Sequence, residues 1–430
     1  MPHSTSVAAR VAAVMPPTQM PQKAGHKNVS TGPDGLRIGL CLSGGGFRAA
    51  LYGLGVVRYL AEAGLLAHVE AVSAVSGGSV AAAVLADRWP ALSQRDFSVD
   101  AYIEEVDRPF HEAVTQHSAR NRALRRWAFR RATLRGPTRG SAMGEVLVEQ
   151  FLHARRVVDL DPALQVVLTS TELSTGRAFR VSRDFVGSFD FDYQRPTDDL
   201  SLGTAVAASA AVPLLFPPVY LRTDGLGLKD PPGVLSLVDG GVYDNLGLEW
   251  FQGWEAGRPV AARPVDFILV VDASGPLGRA PSPLRGIRAI SRSRAIQYFQ
   301  TRASRSRWFV GRLLDDELMG NYLVASADPC EFIGPDRALA KRKLYDGALP
   351  AGFGALLAGL RTDLDQFLPE EAHLLRYHGY WSAHVRMKLF YPQFALPGEP
   401  AWRDFADLPG DRAAALQKLL RQGAKRRPWR

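Results

Sequence analysis

The sequence predicts an α/β protein, a three-layer α/β/α sandwich around a mainly parallel sheet. Three observations carry that prediction. From Leu36 onward, apolar runs of strand length alternate with stretches of helical pattern. Several of those runs are apolar throughout, as strands covered by helices on both faces are. Two of them end in a glycine cluster and pass straight into a helix, the strand–turn–helix step of open α/β sheets. With 430 residues, 46% of them hydrophobic, the chain can bury a large core in one big domain or two.

The elements follow in order. Residues 1–35 are rich in Pro, Ser, Gly and Ala, carry no acid before Asp34 and show no sustained period, so a disordered leader is expected. Within it, Val11–Met15 is too short for a signal-peptide core and is followed by two prolines. Strands are expected at 37–42, 69–75, 164–169, 177–182, 235–238 and 266–272, and amphipathic helices from Leu364 to Arg386. This gives a main domain over residues 36–390 and a basic C-terminal tail over 391–430, ending Lys425-Arg426-Arg427-Pro428-Trp429-Arg430.

Composition narrows the setting. The net charge of +9 and a pI near 9.6 favour an anionic partner: a membrane surface, nucleic acid or an acidic ligand. Cys41 and Cys330 make neither a disulfide framework nor a metal cluster, and point to a reducing, cytoplasmic setting. No apolar run approaches the roughly 20 residues of a spanning helix, so contact with a membrane is expected to be peripheral.

The first strand–turn–helix unit carries Ser43-Gly44-Gly45-Gly46-Phe47-Arg48. A phosphate-binding P-loop needs Gly-Lys-Ser/Thr after the glycines, and none is present. A dinucleotide site would want glycine where Ala49 stands and an acid closing the second strand, which ends instead at Ser76. A tight structural turn explains one or two glycines, not three before an arginine. An oxyanion hole explains all of it: no side chain blocks the oxygen, and backbone N–H groups can point at it.

The second unit, Ala74-Val75-Ser76-Gly77-Gly78-Ser79, sets a serine on the turn itself. Ser76 there is either a helix N-cap or a nucleophile. Ser73, inside the strand, and Ser79, in the first helical turn, are its rivals. A third element, Leu235–Val238 running into Asp239-Gly240-Gly241-Val242-Tyr243-Asp244-Asn245, puts an aspartate at what reads as the C-terminal edge of a parallel strand. Asp272 and Asp244 compete with it, and a turn-forming Asp before Gly is its plain alternative. A serine on a turn beside an anion cradle points to acyl transfer.

Taken in order, Gly-Gly-Gly-Phe-Arg at 44–48, the Ser76 elbow and Asp-Gly-Gly at 239–241 resemble the patatin-like phospholipases. The Ala/Ser-rich stretch Ala207–Val212 and Pro213-Leu214-Leu215-Phe216 ahead of the aspartate resemble them too, and the likeness runs from about Leu36 to Trp250. The resemblance implies a patatin-like sandwich and a lipid acyl hydrolase of phospholipase A or lysophospholipase type. It implies a Ser76–Asp239 dyad, an oxyanion hole from Gly44, Gly45 and Gly46 with Arg48 nearby and Gly77 as a further donor, and no cofactor or metal. Ala74 and Ala49 stand where the motifs carry glycine. A catalytically silent lipid- or protein-binding module and a carboxylesterase for small soluble esters are the alternatives.

The histidines agree with a dyad, since none of the nine directly follows an apolar strand, where a triad histidine is expected. Two stretches free of acid remain. One, between Glu112 and Glu145, holds Arg120, Arg122, Arg125, Arg126, Arg130, Arg131, Arg135 and Arg139 around Trp127 and Phe129. The other, between Asp272 and Asp315, holds Arg285, Arg288, Arg292, Arg294, Arg302, Arg305, Arg307 and Arg312 beside Trp308 and Phe309. The plain reading of both is a solvated helix face. The functional one is docking on anionic lipid, expected first of the Arg120–Arg139 stretch, with a phospholipid substrate as partner. No recognised nucleic-acid motif is present.

Overall fold

Continuity of apolar residues is what a strand needs between two helical layers, and the sheet is built from such runs. In the computed structural model, residues 35–132, 139–213, 216–252, 263–332 and 342–426 are described; of the expected leader, only Gly35 lies among them. Strands β1 (Ile38–Leu42), β2 (Val69–Val75), β3 (Gln165–Glu172), β4 (Ala178–Val181), β5 (Val186–Ser188), β6 (Asp192–Gln194), β7 (Val219–Arg222), β8 (Val234–Asp239), β9 (Phe267–Asp272) and β10 (Met319–Val324) share one sheet. Its order is β10-β9-β1-β2-β3-β4-β5-β6, with β8 joining β3 and β7 joining β8. From β10 to β3 every pairing is parallel. Beyond β3 the sheet continues antiparallel.

Among the described residues, the helices of eight residues or more are α1 (Gly46–Glu62), α2 (Gly77–Ser93), α3 (Arg108–Gln116), α4 (Ala119–Ala132), α5 (Arg139–Phe151), α6 (Leu202–Ser209), α7 (Ile287–Leu314), α8 (Pro369–Phe390) and α9 (Gly410–Gly423). They cover both faces of the sheet. Leu40, Leu42, Val72 and Ala74 point into one core with Phe47 and Leu51 of α1, Leu85 of α2 and Trp381 of α8. Cys41, Ala71, Ile268 and Val270 point the other way, onto Leu246, Trp250 and the Phe309 and Leu313 side chains of α7. This period-2 division yields the expected three layers. Each large apolar side chain withdrawn this way stabilises by about 1.5–3 kcal/mol. In the first layer α1 and α8 meet backbone to backbone, since a Cβ on Gly379 would stand 2.1 Å from the Tyr52 carbonyl oxygen.

One expectation is corrected. Strand β8 is not parallel to its neighbours: it pairs antiparallel with β3, Asp239 opposite Ser170, and with β7. The register explains why the aspartate still reaches the right place. Val75, the last residue of β2, lies opposite Thr169, and Asp239 lies opposite Ser170, the next residue of β3. Because β4 holds the other edge of β3, β2 and β8 share one edge and meet end to end. Two chains running toward each other thus deliver Ser76 and Asp239 to one point.

Of the stretch expected as a basic tail, residues 391–426 are described; they include α9 and bury Phe394, Trp402 and Phe405 in the first core. Among the described residues no helix is long and apolar enough to cross a membrane.

Candidate active site

Ser76 occupies the turn between β2 and α2 at φ 55° and ψ −123°, a left-handed conformation unusual for a residue with a side chain. Holding it there costs about 1–3 kcal/mol, which the surroundings must impose. Gly77 and Gly78 make the turn possible: a Cβ on Gly77 would lie 1.8 Å from the Gly46 carbonyl oxygen, and one on Gly78 2.3 Å from that of Leu42. Although Ser76 stands at the N-cap position of α2, its side chain makes no capping hydrogen bond. Its hydroxyl is therefore not engaged in holding the helix. The Ser76 N–H donates to Ser209 Oγ at 3.0 Å, and Ser209 Oγ donates to the Thr169 carbonyl at 2.6 Å. The rival serines are placed elsewhere. Ser79 Oγ bonds Ser209 Oγ at 2.8 Å, and Ser73 Oγ lies beside Gly247, which packs against the β2 backbone.

Asp239 ends β8 with its backbone tied on both sides, its N–H to the Ala211 carbonyl at 2.9 Å and its own carbonyl accepting from Thr171 Oγ1 at 3.0 Å. Carboxylate Oδ1 accepts the Gly241 N–H at 2.7 Å, while buried Oδ2 has no hydrogen bond of good geometry. Burial pushes this acid up to about 6, against the hydroxyl of Ser76 and the Gly241 N–H, which both pull it down. The result is a base stronger than an ordinary carboxylate, ionised at neutral pH, next to a serine.

The competing aspartates are fully engaged. Asp272 accepts from the Ser274 N–H at 2.8 Å and Tyr322 Oη at 2.5 Å, and faces Arg302 at 3.5 Å. Asp244 accepts from the N–H groups of Leu246 and Glu249 and pairs with Arg305 at 3.4 Å. Among the described residues, no hydrogen bond of Ser76 or Asp239 involves a histidine. His378 is buried on the Ala325 carbonyl at 2.9 Å, and His384 packs against Tyr59 and Trp381.

The glycine loop lies against the serine, with a Cβ on Gly44 falling 3.2 Å from Ser76 Cβ. Gly44 donates its N–H to the Asn245 carbonyl at 2.9 Å, so it is not a free donor for an oxyanion. Gly45 at φ 140° and Gly46 at φ 58° take backbone conformations suited to glycine. Among the described residues their N–H groups, like that of Gly77 at the head of α2, have no hydrogen-bond acceptor. Arg48 lies alongside this loop, its Nη2 3.5 Å from where a Cβ on Gly45 would stand. Buried in the first turn of α1, its Nη1 donates to the carbonyls of Ala358 at 2.5 Å and Leu360 at 2.8 Å. Burial lowers it to about 10, so it remains charged while pinning the loop to the segment beneath.

The sequence did not single out Ser209, Asn245 or Tyr298, which bind the parts together. Asn245 takes the Gly44 N–H on its backbone carbonyl, donates from Nδ2 to Ser274 Oγ at 2.7 Å, and accepts the Tyr298 hydroxyl on Oδ1. A Cβ on Gly44 or on Gly241 would collide with that same Oδ1. One side chain thus spaces the glycine loop from the aspartate loop. Ser209 and Asn245 lie in motifs that the sequence offers, but their roles depend on contacts across the sheet.

Residues 40–250, which include both glycine turns, Ser76, Asp239 and Asn245, match the family model described as patatin-like phospholipase. Among curated proteins, none matches the chain. Among solved structures, the chain is similar to human GIVD cytosolic phospholipase A2 at 14% identity and a TM-score of 0.45, over 98% of this chain and 66% of that one. The same human protein in complex with methyl gamma-linolenyl fluorophosphonate and terbium chloride gives 14% identity and a TM-score of 0.44, over 98% and 63%. VipD from Legionella pneumophila gives 14% identity and a TM-score of 0.32, over 88% and 72%. The chain spans just under two thirds of the length of the human structures.

Proposed function

We propose, for a chain that belongs to the patatin-like phospholipase family over residues 40–250, that it hydrolyses carboxylic esters of lipids, phospholipids foremost, through Ser76 and Asp239. The observation that carries this reading is the pairing itself. A serine held in a strained turn without capping duty faces a buried carboxylate with an unpartnered oxygen.

In this reading Asp239 takes the proton of Ser76 as Oγ attacks the ester carbonyl carbon. The carbonyl oxygen becomes an oxyanion and accepts from the Gly45 and Gly46 N–H groups, with Gly77 as a third donor. Collapse of the tetrahedral intermediate breaks the bond to the leaving alcohol, which receives the proton from Asp239. Water then attacks the acyl-serine, again giving its proton to Asp239, and the released Ser76 Oγ recovers that proton as the carboxylic acid departs. Arg48 supports this chemistry by fixing the loop through its Nη1. The intact pair and the free donors disfavour a silent binding module. Peripheral contact with anionic membranes fits the basic character of the chain and the lipid substrate.

The test is direct. Ser76→Ala removes ester hydrolysis and labelling by a fluorophosphonate probe while leaving the unfolding transition in place. Labelling that maps to Ser73 or Ser79, or a Ser76→Ala protein that still releases fatty acid from phospholipid, overturns the assignment.

A further inference from the structure

The two acid-free arginine stretches part company in the structure. In α4, Arg120 is buried between Asp363 and Asp365, each at 2.7 Å, and Arg126 pairs with Glu145 at 3.4 Å and Glu149 at 2.8 Å. Those two, and Arg122 at 4.0 Å from Glu149, are answered by acids, while Arg125 is exposed and the side chains of Arg130, Arg131, Arg135 and Arg139 lie outside the described residues. In the lower half of α7 the same holds, with Arg302 on Asp272 and Arg305 on Asp244, and Phe309 and Leu313 buried. The upper half is different. Arg285, Arg288, Arg292 and Arg294 have no ion pair among the described residues, and no acid lies between Asp272 and Asp315 to supply one.

That upper half also carries apolar side chains in solvent. Ile287 is 79% exposed and Ile290 63%, and Ile296 is exposed as well. From Ile287 to Gln300 only Ala289, Arg292 and Phe299 are even half-buried, so the segment extends beyond the body of the protein. A helix so thinly covered draws little stability from its own packing here. Its direction is fixed by helical spacing. Ile287, Arg294, Tyr298 and Arg305, recurring at seven-, four- and seven-residue steps, fall on one face. Tyr298 bonds Asn245 and Arg305 pairs with Asp244, so this face looks onto the candidate active site. Ile287 and Arg294 continue it past the edge of the body.

We propose that the exposed N-terminal half of α7, together with Arg285, docks on the surface of an anionic lipid bilayer beside the Ser76–Asp239 pair. The chemistry selects this occupant. Arginines take up lipid phosphates, and exposed isoleucines gain by entering the acyl boundary. Nucleic acid would answer the arginines but not the isoleucines, and a second copy of this chain would bring like charge against like. The inference rests on the lipid-ester reading and gives that reading its surface.

The experiment uses the full chain with Ser76→Ala, so that vesicles stay intact, and sediments it with phosphatidylcholine vesicles with or without phosphatidylglycerol. Binding is expected to need the anionic lipid and to fall with salt. Arg285→Gln, Arg288→Gln, Arg292→Gln and Arg294→Gln combined should weaken it at least about tenfold. Ile287→Ser with Ile290→Ser should weaken it too. In the Ser76 background each set should leave turnover of a soluble short-chain ester unchanged. Equal binding to neutral vesicles, or a four-arginine variant that binds as the parent does, overturns the proposal. So does a variant that loses duplex DNA but keeps vesicles. Docking of the Ser76→Ala chain through these residues, beside a wild-type chain that frees no fatty acid from any lipid, upholds the docking surface and removes the lipid-hydrolase reading instead.

Discussion

Asp239 and Asp272 each end an apolar strand and each precede a small residue, yet the fold treats them oppositely. Around Asp272 the protein gathers an N–H, a tyrosine hydroxyl and a guanidinium, the partners a buried carboxylate needs. Around Asp239 it supplies one N–H and the Ser76 hydroxyl and leaves Oδ2 without a well-made bond. An acid satisfied by its neighbours holds structure. One left partly unsatisfied is unstable in its charged form, and that instability makes it a usable base.

The largest separation between the two is expected in turnover. Asp239→Asn removes the proton acceptor and should lower kcat on a soluble ester by about 10²–10⁴-fold. Because burial holds this acid at about 6, wild-type kcat should rise with pH through that value as the carboxylate ionises. Asp272→Asn should retain kcat within about tenfold. An active Asp239→Asn beside a dead, well-folded Asp272→Asn would exchange the two roles.

Stability should separate them next, with opposite sign. Asp272→Asn leaves Arg302, whose side chain is 11% exposed, without its counter-charge, and should cost about 3–5 kcal/mol in urea unfolding. Asp239→Asn should stabilise. A carboxyl raised from 3.8 to about 6 on folding disfavours the folded state by about 3 kcal/mol once fully ionised. The sign follows from linkage: the penalty is absent below pH 4, where the acid is protonated folded and unfolded, and complete above pH 6. The gain in the amide variant should therefore vanish as the pH falls from 7 to 4.

How much of this was legible in the sequence depended on range. Strands β1, β2 and β9 were readable because a continuous apolar run declares itself locally. β6, Asp192–Gln194, has no such run, and β10 follows an acidic turn; both, with β5 and β7, take shape only through pairing. The motif residues Ser76 and Asp239 could be picked out, but the direction of β8 could not, since nothing in Leu-Ser-Leu-Val tells which way its neighbour runs. Nor could the difference between Asp239 and Asp272, which lies in Tyr322 and Arg302, residues far along the chain. The arginine stretches carried the same blind spot. An acid-free run is uniformly basic in sequence, yet in the fold Asp363, Asp365, Glu145 and Glu149 stand across from Arg120 and Arg126 of α4.

The smallest and sharpest test sits between the two aspartates. Tyr298 donates its hydroxyl to Asn245 Oδ1. Its ring is partly exposed, but burial of the hydroxyl end, with Asp239 and Asp272 nearby, drives its pKa well above the ordinary tyrosine value. The hydroxyl therefore stays protonated and a donor. Tyr298→Phe removes one hydrogen bond and leaves Oδ1 of Asn245, the atom that spaces the glycine loop from the aspartate loop, without that donor. The loss should be about 0.5–1.5 kcal/mol. If Asn245 acts by holding the oxyanion donors in register, that loss should fall on kcat, with KM for a soluble ester unchanged and the rise near pH 6 kept in place. A fall in melting temperature with kcat intact would make Tyr298 a brace for α7 alone. A displaced pH profile would instead make it an electrostatic neighbour of Asp239, and the contrast between the two carboxylates would then owe as much to a tyrosine as to the strands they end.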